Sequence, residues 1–269
     1  MIDAADRPAH VPRPIAWMDG RVLPAADATV PLLDDGFLRG DAVFETILVR
    51  RGRTHALDAH LARMRRSAKA MGIRLPVLRQ VVADLLAAWG DRDGALRVIV
   101  TRGGAIRGVM QVPVWPESLA LEPIEMPWLS AVSGIKTLSY AANVWAMRQA
   151  KAAEADDAVI ISSGVVHELP SAAILWVRDG IVRAPDPQAL PVLESVTLRS
   201  LQQVADVELG QWQLDDLLAA DEAFVVSATR PVLPVHAVGE REYETPGPET
   251  ARVRTAFNLH IDANLDPLP

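Results

Sequence analysis

Cysteine is absent from this chain of 269 residues. Its absence excludes disulfide bonds, thiolate nucleophiles and cysteine-based metal sites. No block of positive charge occurs either: the formal net charge is −7 and no basic-aromatic array is present, so we expect no nucleic-acid partner. No uninterrupted apolar stretch approaches the ~18 residues of a membrane-spanning helix, so we expect no membrane span.

The N-terminal residues 1–13 lack the apolar core of a signal peptide and carry Asp3, Asp6 and Arg7 instead. We therefore expect a cytoplasmic protein. What the chain does contain is an ordinary globular composition, with 50% hydrophobic and 23% charged residues. Its length is enough for one large domain or two smaller ones.

Strand and helix patterns are mixed along the chain, which indicates an α/β (α+β) fold. Asp19-Gly20 and Asp179-Gly180 predict the turns of two hairpins. Runs rich in Val, Ile, Leu and Phe predict strands over 42–50, 96–101, 157–163 and 222–227. Amphipathic patterns predict helices over 59–71, 76–89, 143–155, 197–207 and 248–264.

A proline-rich stretch from Pro113 to Pro127 is the best candidate for a linker. We therefore divide the chain at a linker over 119–127. No internal repeat or low-complexity tract interrupts this division.

Two residues carry the most informative chemistry: Lys136 in Ile-Lys-Thr-Leu-Ser-Tyr and Glu168 in Val-His-Glu-Leu-Pro. A lysine that can lose its charge can join covalently to an aldehyde cofactor. An acidic group against a pyridine nitrogen keeps that ring protonated, so the ring can accept electrons from a substrate carbanion. The pair is therefore typical of a pyridoxal-phosphate enzyme.

Four motifs follow one another along the chain: Arg-Gly-Asp-Ala-Val-Phe-Glu-Thr at 39–46, His-Leu-Ala-Arg-Met at 60–64, Lys-Thr-Leu-Ser-Tyr at 136–140 and His-Glu at 167–168. In this order they resemble the class IV aminotransferase family of pyridoxal-phosphate enzymes, also called fold type IV, over residues 32–238. That family contains branched-chain aminotransferases, D-amino-acid aminotransferases and 4-amino-4-deoxychorismate lyases. The resemblance implies a homodimer of two-domain chains with pyridoxal 5'-phosphate in the interdomain cleft. It implies an N-terminal α/β domain over 1–118 and a C-terminal cofactor-binding domain over 128–269.

The resemblance also implies roles for individual residues. Lys136 matches the catalytic lysine that binds the cofactor and moves the substrate's proton, Glu168 matches the partner of the pyridine nitrogen, and Arg63 matches the phosphate-binding arginine. The further matched cofactor-binding residues are Tyr140, Ser195, Val196, Thr197, Ser227 and Ala228. Structural interpretations stay open, because Lys136 can be a surface lysine, Arg63 a solvated helical arginine and Thr197 a helix N-cap.

The chain departs from the family pattern in the expected cofactor region. Ser195 stands where relatives usually have glycine, and Ala228 stands where they often have threonine. After Glu168, Leu169 and Pro170 begin a segment that lacks the glycine and asparagine of relatives. These departures put the close approach of the backbone to the cofactor in doubt.

The resemblance places three arginines in or near the substrate pocket of relatives: Arg39, Arg97 and Arg107. They are candidates for binding a substrate carboxylate, because a planar guanidinium suits that group. Each can equally be a salt-bridged surface arginine. The six histidines show no metal-ligand spacing, and we expect His60 and His167 to cap or pack.

Within the family, the segments at 126–129, 136–140 and 231–235 look most like 4-amino-4-deoxychorismate lyases. That similarity implies release of pyruvate and 4-aminobenzoate for folate synthesis. One alternative is an aminotransferase for branched-chain or D-amino acids. The other is a non-catalytic relative, which the departures at Ser195 and after Glu168 would support.

Overall fold

The computed structural model describes residues 11–268, so most of the N-terminal segment 1–13 lies outside the described residues. The chain divides into two compact units. Unit 1 contains the chain up to Val114, the short segment Ile135–Ser139 and the residues from Ile261 onward. Unit 2 contains Trp115–Gly134 and Tyr140–His260.

Unit 1 is built on an antiparallel sheet of six strands among the described residues, in the order β2-β1-β6-β5-β3-β4. Its strands are β1 (Ile15–Met18), β2 (Arg21–Pro24), β3 (Ala42–Arg50), β4 (Arg53–Thr54), β5 (Gly94–Thr101) and β6 (Ile106–Gln111). Its helices are α1 (Asp35–Arg39), α2 (Leu57–Met71) and α3 (Arg79–Trp89).

The core of unit 1 forms where α2 and α3 place their apolar faces on this sheet. Met64 of α2 and Leu85 of α3 are fully buried with Ile47 and Leu96 of the sheet. α2 begins two residues before the predicted start, because the backbone N–H of Leu57 donates to the Asp266 carboxylate at 2.9 Å. That capping group comes from the far end of the chain, which a local sequence pattern does not reveal.

Unit 2 contains a mixed sheet of nine strands among the described residues, in the order β12-β11-β10-β13-β14-β7-β8-β9, with β15 beside β14. Its strands are β7 (Leu119–Glu125), β8 (Asp157–Ser162), β9 (Val165–Val166), β10 (Ala173–Arg178), β11 (Ile181–Pro185), β12 (Val207–Gly210), β13 (Glu222–Ser227), β14 (Arg230–Val238) and β15 (Arg241–Glu242). Its helices are α4 (Ala141–Ala152), α5 (Val196–Leu201), α6 (Leu214–Leu218) and α7 (Pro248–Ala263), whose last residues count with unit 1.

The predicted linker over 119–127 is wrong, because most of it is strand β7 inside the sheet of unit 2. Leu119 and Leu121 are almost completely buried there. Pro123 lies beyond Leu121, the last residue at which β7 pairs with β14, so the proline interrupts no ladder on that side. The prolines of this stretch therefore lie in and around a strand that pairs with β14 over only part of its length, and they do not mark a linker.

The predicted C-terminal domain over 128–269 also differs from the units. The Lys136 segment belongs to unit 1 because it pairs with β3, and the tail belongs there because His55 bridges Leu265. The helix predicted over 197–207 ends at Leu201, and Val207 already begins β12. No described helix is long and apolar enough to cross a membrane.

Candidate active site

Lys136 lies in a short extended segment that pairs with the start of β3. The Phe44 N–H donates to the Lys136 carbonyl at 3.1 Å, and the Leu138 N–H donates to the Ala42 carbonyl at 3.0 Å. The Lys136 N–H donates to the Ser67 hydroxyl of α2 at 3.2 Å. These bonds fix the backbone on both sides of the lysine to regular elements of unit 1.

Gly40 makes room for that segment. It ends α1 with a left-handed φ of 68°, and a Cβ there would lie 3.0 Å from the carbonyl oxygen of Leu138 and from Cα of Ser139. The Thr137 hydroxyl donates to the carbonyl of Ala42 at 2.9 Å. A side chain at position 40 would therefore push the lysine segment away from β3.

The Lys136 side chain is half-buried against an aromatic ring. Its Nζ lies 4.6 Å from the centre of the Phe44 ring, and the Arg97 guanidinium lies 5.0 Å from the same centre. Arg97 also donates from Nε to the Thr46 hydroxyl at 3.2 Å. The structure thus brings one predicted substrate arginine and the predicted catalytic lysine to a single ring.

Arg63 is buried, unlike its exposed helical neighbours Arg65 and Arg66. Its Nε and Nη2 donate to the two oxygens of Glu45 at 2.8 and 2.7 Å. His60, one helical turn earlier, places Nδ1 2.8 Å from Oε2 of the same carboxylate. Glu45 is 0% exposed. The solvated interpretation of Arg63 is therefore excluded, and His60 packs in this cluster as expected.

The charges of this buried cluster follow from its contacts. Burial acts to raise the pKa of Glu45, but the Arg63 charge and the hydrogen bonds from Arg63 and His60 outweigh it and bring the pKa to about 2. Burial lowers the pKa of His60, and the positive charges of Arg63 and Lys136 add to that effect while Glu45 opposes it. At neutral pH Glu45 is a carboxylate that can only accept, so a neutral His60 carries its proton on Nδ1.

Glu168 of unit 2 is held from two sides. Its Oε1 accepts from the Trp128 indole N–H at 3.2 Å, and its Oε2 accepts from the Leu193 backbone N–H at 3.1 Å. The backbone carbonyl of Glu168 accepts from the Ile160 N–H at 2.9 Å. These bonds determine the direction in which the half-buried carboxylate points.

The segment around Ser195 begins the short helix α5. The Ser195 hydroxyl accepts from the Leu198 N–H at 3.1 Å and caps the helix. The N-cap is therefore Ser195 rather than Thr197, which lies in the first turn. This capping bond is a structural reason for serine where relatives have glycine. Val196 is buried and Thr197 is half-buried.

Ser227 and Ala228 lie where β13 ends. The pairing of β13 with β14 shifts between Val225 and Ser227, and the Ser227 hydroxyl lies 3.4 Å from the Thr229 hydroxyl. Tyr140 is half-buried and stands immediately before α4. Unit 2 therefore places these residues at element ends, where backbone N–H groups leave the regular ladders.

A buried ion pair near this strand end was not predicted. Arg230 donates from Nη1 to Asp157 at 3.3 Å and from Nη2 to the Ser171 hydroxyl at 2.6 Å, and its guanidinium lies 4.3 Å from the Trp115 ring centre. Burial raises the pKa of Asp157 despite the attraction of Arg230. Burial lowers the pKa of Arg230, while the Asp157 carboxylate and the Tyr140 phenol act to raise it.

The other two candidate substrate arginines make different contacts. Arg39 is mostly exposed and pairs with Asp35 one helical turn away. Arg107 donates to Asp19 at 3.2 Å and to the carbonyl of Ile106 at 2.8 Å. Both arrangements match the alternative of a salt-bridged arginine. No cluster of three or more potential metal ligands occurs among the described residues.

The fold is shared with solved structures of known enzymes. A solved structure described as a hypothetical aminotransferase from Mycobacterium tuberculosis in its pyridoxal-phosphate-bound form superposes with a TM-score of 0.80 at 26% identity, covering 93% of this chain and 99% of that one. The chain therefore has the fold of fold-type IV pyridoxal-phosphate enzymes.

Sequence comparison identifies the family. The family model described as amino-transferase class IV matches residues 42–238, and the chain belongs to this family. A D-alanine aminotransferase of Bacillus licheniformis is 29% identical over 90% of this chain and 95% of its own length. A bifunctional aminodeoxychorismate lyase / D-amino acid transaminase of Mycobacterium tuberculosis is 30% identical over 86% and 94%. The protein is a pyridoxal-phosphate-dependent enzyme, which sets aside the non-catalytic alternative.

Proposed function

We propose that Lys136 binds the aldehyde, Arg63 the phosphate and Glu168 the ring nitrogen of pyridoxal 5'-phosphate. The residues present fit these groups. Lys136 is a half-buried amine on an aromatic ring, Arg63 is a buried guanidinium, and Glu168 is a carboxylate oriented by two N–H donors. When bound, the cofactor supplies an acceptor for the electron pair that a substrate carbon leaves behind on losing its proton.

The same proposal includes the residues at element ends of unit 2. Backbone N–H groups and hydroxyls there suit phosphate oxygens, and a phenol suits the ring oxygen. The proposed set is Tyr140, Ser195, Val196, Thr197, Ser227 and Ala228. With alanine at 228, this position contributes only its backbone N–H.

Lys136 is the natural choice for the proton-transferring base. The chain has three lysines, and both Lys69 and Lys151 are exposed while Lys136 is half-buried. Its Nζ would remove the proton from the substrate carbon that bears the amine. A positioned base of this kind contributes about 10²- to 10⁴-fold to the rate.

We assign the lyase reaction on 4-amino-4-deoxychorismate as the main activity. Lys136 Nζ takes the ring proton, the ring carbon–oxygen bond breaks with its electron pair going to the oxygen, and the ring becomes aromatic. The released enolpyruvate gains one proton at its methylene carbon, which replaces the proton taken from the ring and gives pyruvate. The products are pyruvate and 4-aminobenzoate, with no net oxidation. Arg97, which lies against the same Phe44 ring as Lys136, would bind a substrate carboxylate, with Arg39 and Arg107 as further candidates. The observation that carries this assignment is the 30% identical relative named for both lyase and transaminase activity.

A second candidate activity is transamination of D-amino acids. It is favoured by the similarity to the D-alanine aminotransferase, which covers nearly the whole chain. The same lysine, glutamate and phosphate-binding arginine would serve it, because both reactions begin with loss of a proton from the carbon that bears the amine.

One experiment separates the two activities. The purified holoenzyme is mixed with 4-amino-4-deoxychorismate, and 4-aminobenzoate and pyruvate are measured. In parallel it is mixed with D-alanine without a keto acid, and the cofactor absorbance is followed. A lyase forms both products over many turnovers and keeps its original spectrum with D-alanine. An aminotransferase converts its cofactor to the amine form, and one without lyase activity forms neither product.

Matched lysine variants test the site in the same assays. Lys136→Ala is expected to abolish either activity, and Lys69→Ala, an exposed lysine of the same unit, is expected to retain it. Equal activities of the two variants would contradict the proposed role of Lys136.

We also propose that the chain forms a homodimer through unit 1. The segment at and before α1 exposes five large apolar side chains, which is unusual for a surface that stays in water. They are Val30, Leu32, Leu33, Phe37 and Leu38. Light scattering is expected to give twice the chain mass for the protein and for Val77→Lys, and the single mass for Leu33→Lys. Val77 is the matched control because both residues are 84% exposed.

A further inference from the structure

The Glu45 carboxylate is the centre of a buried polar cluster in unit 1. Its two oxygens accept three hydrogen bonds, two from Arg63 and one from His60, at 2.7 to 2.8 Å. The carboxylate comes from β3 and both donors come from α2, so a strand and a helix are joined through it. None of the three side chains is more than 8% exposed.

The two bonds from Arg63 define a plane. Nε and Nη2 form a fork on one edge of the guanidinium, and a carboxylate opposite that edge fixes both the position and the tilt of the group. The fork engages two of the five N–H donors of the side chain, so it also fixes the directions of the others. A lone hydrogen bond would leave the guanidinium free to rotate.

Packing alone does not account for this pair. A buried ion pair usually adds little stability over apolar side chains of the same size, because removing the charges from water costs about as much as their attraction returns. Glu45 also interrupts an apolar strand, Ala-Val-Phe-Glu-Thr-Ile-Leu-Val. The carboxylate therefore needs a reason connected with the guanidinium that it holds.

We propose that Glu45 is a positioning residue for the cofactor's phosphate: with His60 it fixes the Arg63 guanidinium, so that preference for the phosphorylated over the dephosphorylated cofactor depends on this carboxylate. The inference rests on the proposed phosphate contact of Arg63. Glu45 itself touches neither the cofactor nor the substrate in this account.

Glu45→Gln is the sharpest perturbation. Glutamine keeps the volume but has one acceptor oxygen. Whichever side its NH₂ group takes, it faces Nε or Nη2 of Arg63, so one bond of the fork is replaced by a donor–donor contact. The matched control is Glu249→Gln, which breaks the same Nε and Nη2 fork in the exposed pair with Arg252.

The measurement is the affinity of the apoprotein for pyridoxal 5'-phosphate and for pyridoxal, read from the absorbance of the bound cofactor. The ratio of the two dissociation constants isolates the phosphate, because the aldehyde and ring are common to both. Glu45→Gln is expected to reduce the preference for the phosphate form by about tenfold or more, as for loss of a hydrogen bond to a charged group, with pyridoxal affinity unchanged. Glu249→Gln is expected to keep the preference.

Two outcomes would overturn the inference. One is an unchanged preference in Glu45→Gln. The other is equal weakening of both ligands, which means that the carboxylate only supports the fold. Arg63→Met tests the underlying proposal that Arg63 binds the phosphate. If this variant keeps the preference for the phosphorylated cofactor, Arg63 is not the phosphate ligand, and Glu45 cannot position it for that role.

A milder pair of variants keeps the test decisive if Glu45→Gln does not fold. His60→Leu removes one bond to the carboxylate, whereas His60→Asn can place an amide N–H near the position of Nδ1. The leucine variant is expected to lose part of the phosphate preference and the asparagine variant to restore it. Equal preferences in these two variants would contradict the positioning role.

Discussion

The close approach of Gly40 to the lysine segment yields the most specific prediction about how Lys136 is placed. In Gly40→Ala, the new Cβ would lie 3.0 Å from backbone atoms of residues 138 and 139. Backbone atoms cannot swing aside as the end of a flexible side chain can. The segment must therefore shift away from β3, and the bond from Leu138 to Ala42 must lengthen.

The loss of stability expected for Gly40→Ala is the sum of two separable costs. An alanine at the left-handed φ of 68° costs about 1 to 2 kcal/mol wherever it occurs. Contact with the backbone adds a cost of overpacking, typically about 1 to 3 kcal/mol. Gly104→Ala is the matched control, because Gly104 has a φ of 83° and no atom within 4 Å of its Cβ position. It carries the first cost alone.

Urea unfolding and cofactor binding measure the two consequences. Gly40→Ala is expected to lower the free energy of unfolding by more than Gly104→Ala. It is also expected to slow covalent attachment of the cofactor to Lys136, by up to about 10²-fold for a displacement near 1 Å. Equal stabilities of the two variants, together with equal rates of attachment, would refute the idea that Gly40 positions the lysine segment.

Three further predictions concern the groups around the proposed cofactor contacts. The pKa of Glu45 falls from 4.5 to about 2 on folding. Its ionised form therefore contributes about 3 kcal/mol to the free energy of unfolding above pH 4.5, and this contribution is lost as the pH falls toward 2. Urea unfolding at several pH values checks this, and a stability difference between the protein and Glu45→Gln that does not shrink in that window contradicts it. Trp128→Phe removes one N–H from Glu168 and is expected to lower kcat by about tenfold with the cofactor still attached, whereas the exposed Trp145→Phe has no effect. If the two tryptophan variants have the same kcat, the indole does not orient Glu168. Arg97→Met is expected to raise KM for the substrate by about tenfold or more without changing cofactor affinity, and steady-state kinetics with an unchanged KM would exclude Arg97 as the carboxylate ligand.

Local sequence patterns were sufficient to predict the bounds of elements that end at clear turns. The strands predicted at 42–50 and 222–227 have those bounds in the structure, and the hairpin turn at Asp179-Gly180 has both residues at positive φ. A run of apolar residues closed by turn residues carries this information within itself. The same holds for the end of α2 at Met71, where the predicted helix over 59–71 also ends.

Elements that depend on distant residues were not predictable in this way. The start of α2 depends on Asp266, and the position of the Lys136 segment depends on pairing with β3. The proline-rich stretch predicts a linker, but the effect of a proline in β7 depends on which neighbouring strand pairs at that position. Such contacts join residues far apart in sequence, and one sequence alone does not specify their partners.

The candidate site likewise contains residues that the sequence could predict and residues whose role depends on contacts in the folded chain. The family motifs pointed to Lys136, Arg63 and Glu168, and the burial of Arg63 could not be distinguished from the exposure of its neighbours by helix position alone. The role of Glu45 went unassigned, although two signals were available: a charged residue within an apolar strand, and the spacing of His60 and Arg63 on one helix face.

Borohydride reduction of the holoenzyme followed by peptide mapping tests the central claim most directly. The chain has only three lysines, so the assignment is unambiguous. A pyridoxyl group on the peptide that contains Lys136, and on no other, is the result that we predict. A pyridoxyl group on Lys69 or Lys151, or no modified peptide from a protein that binds the cofactor, would contradict the account.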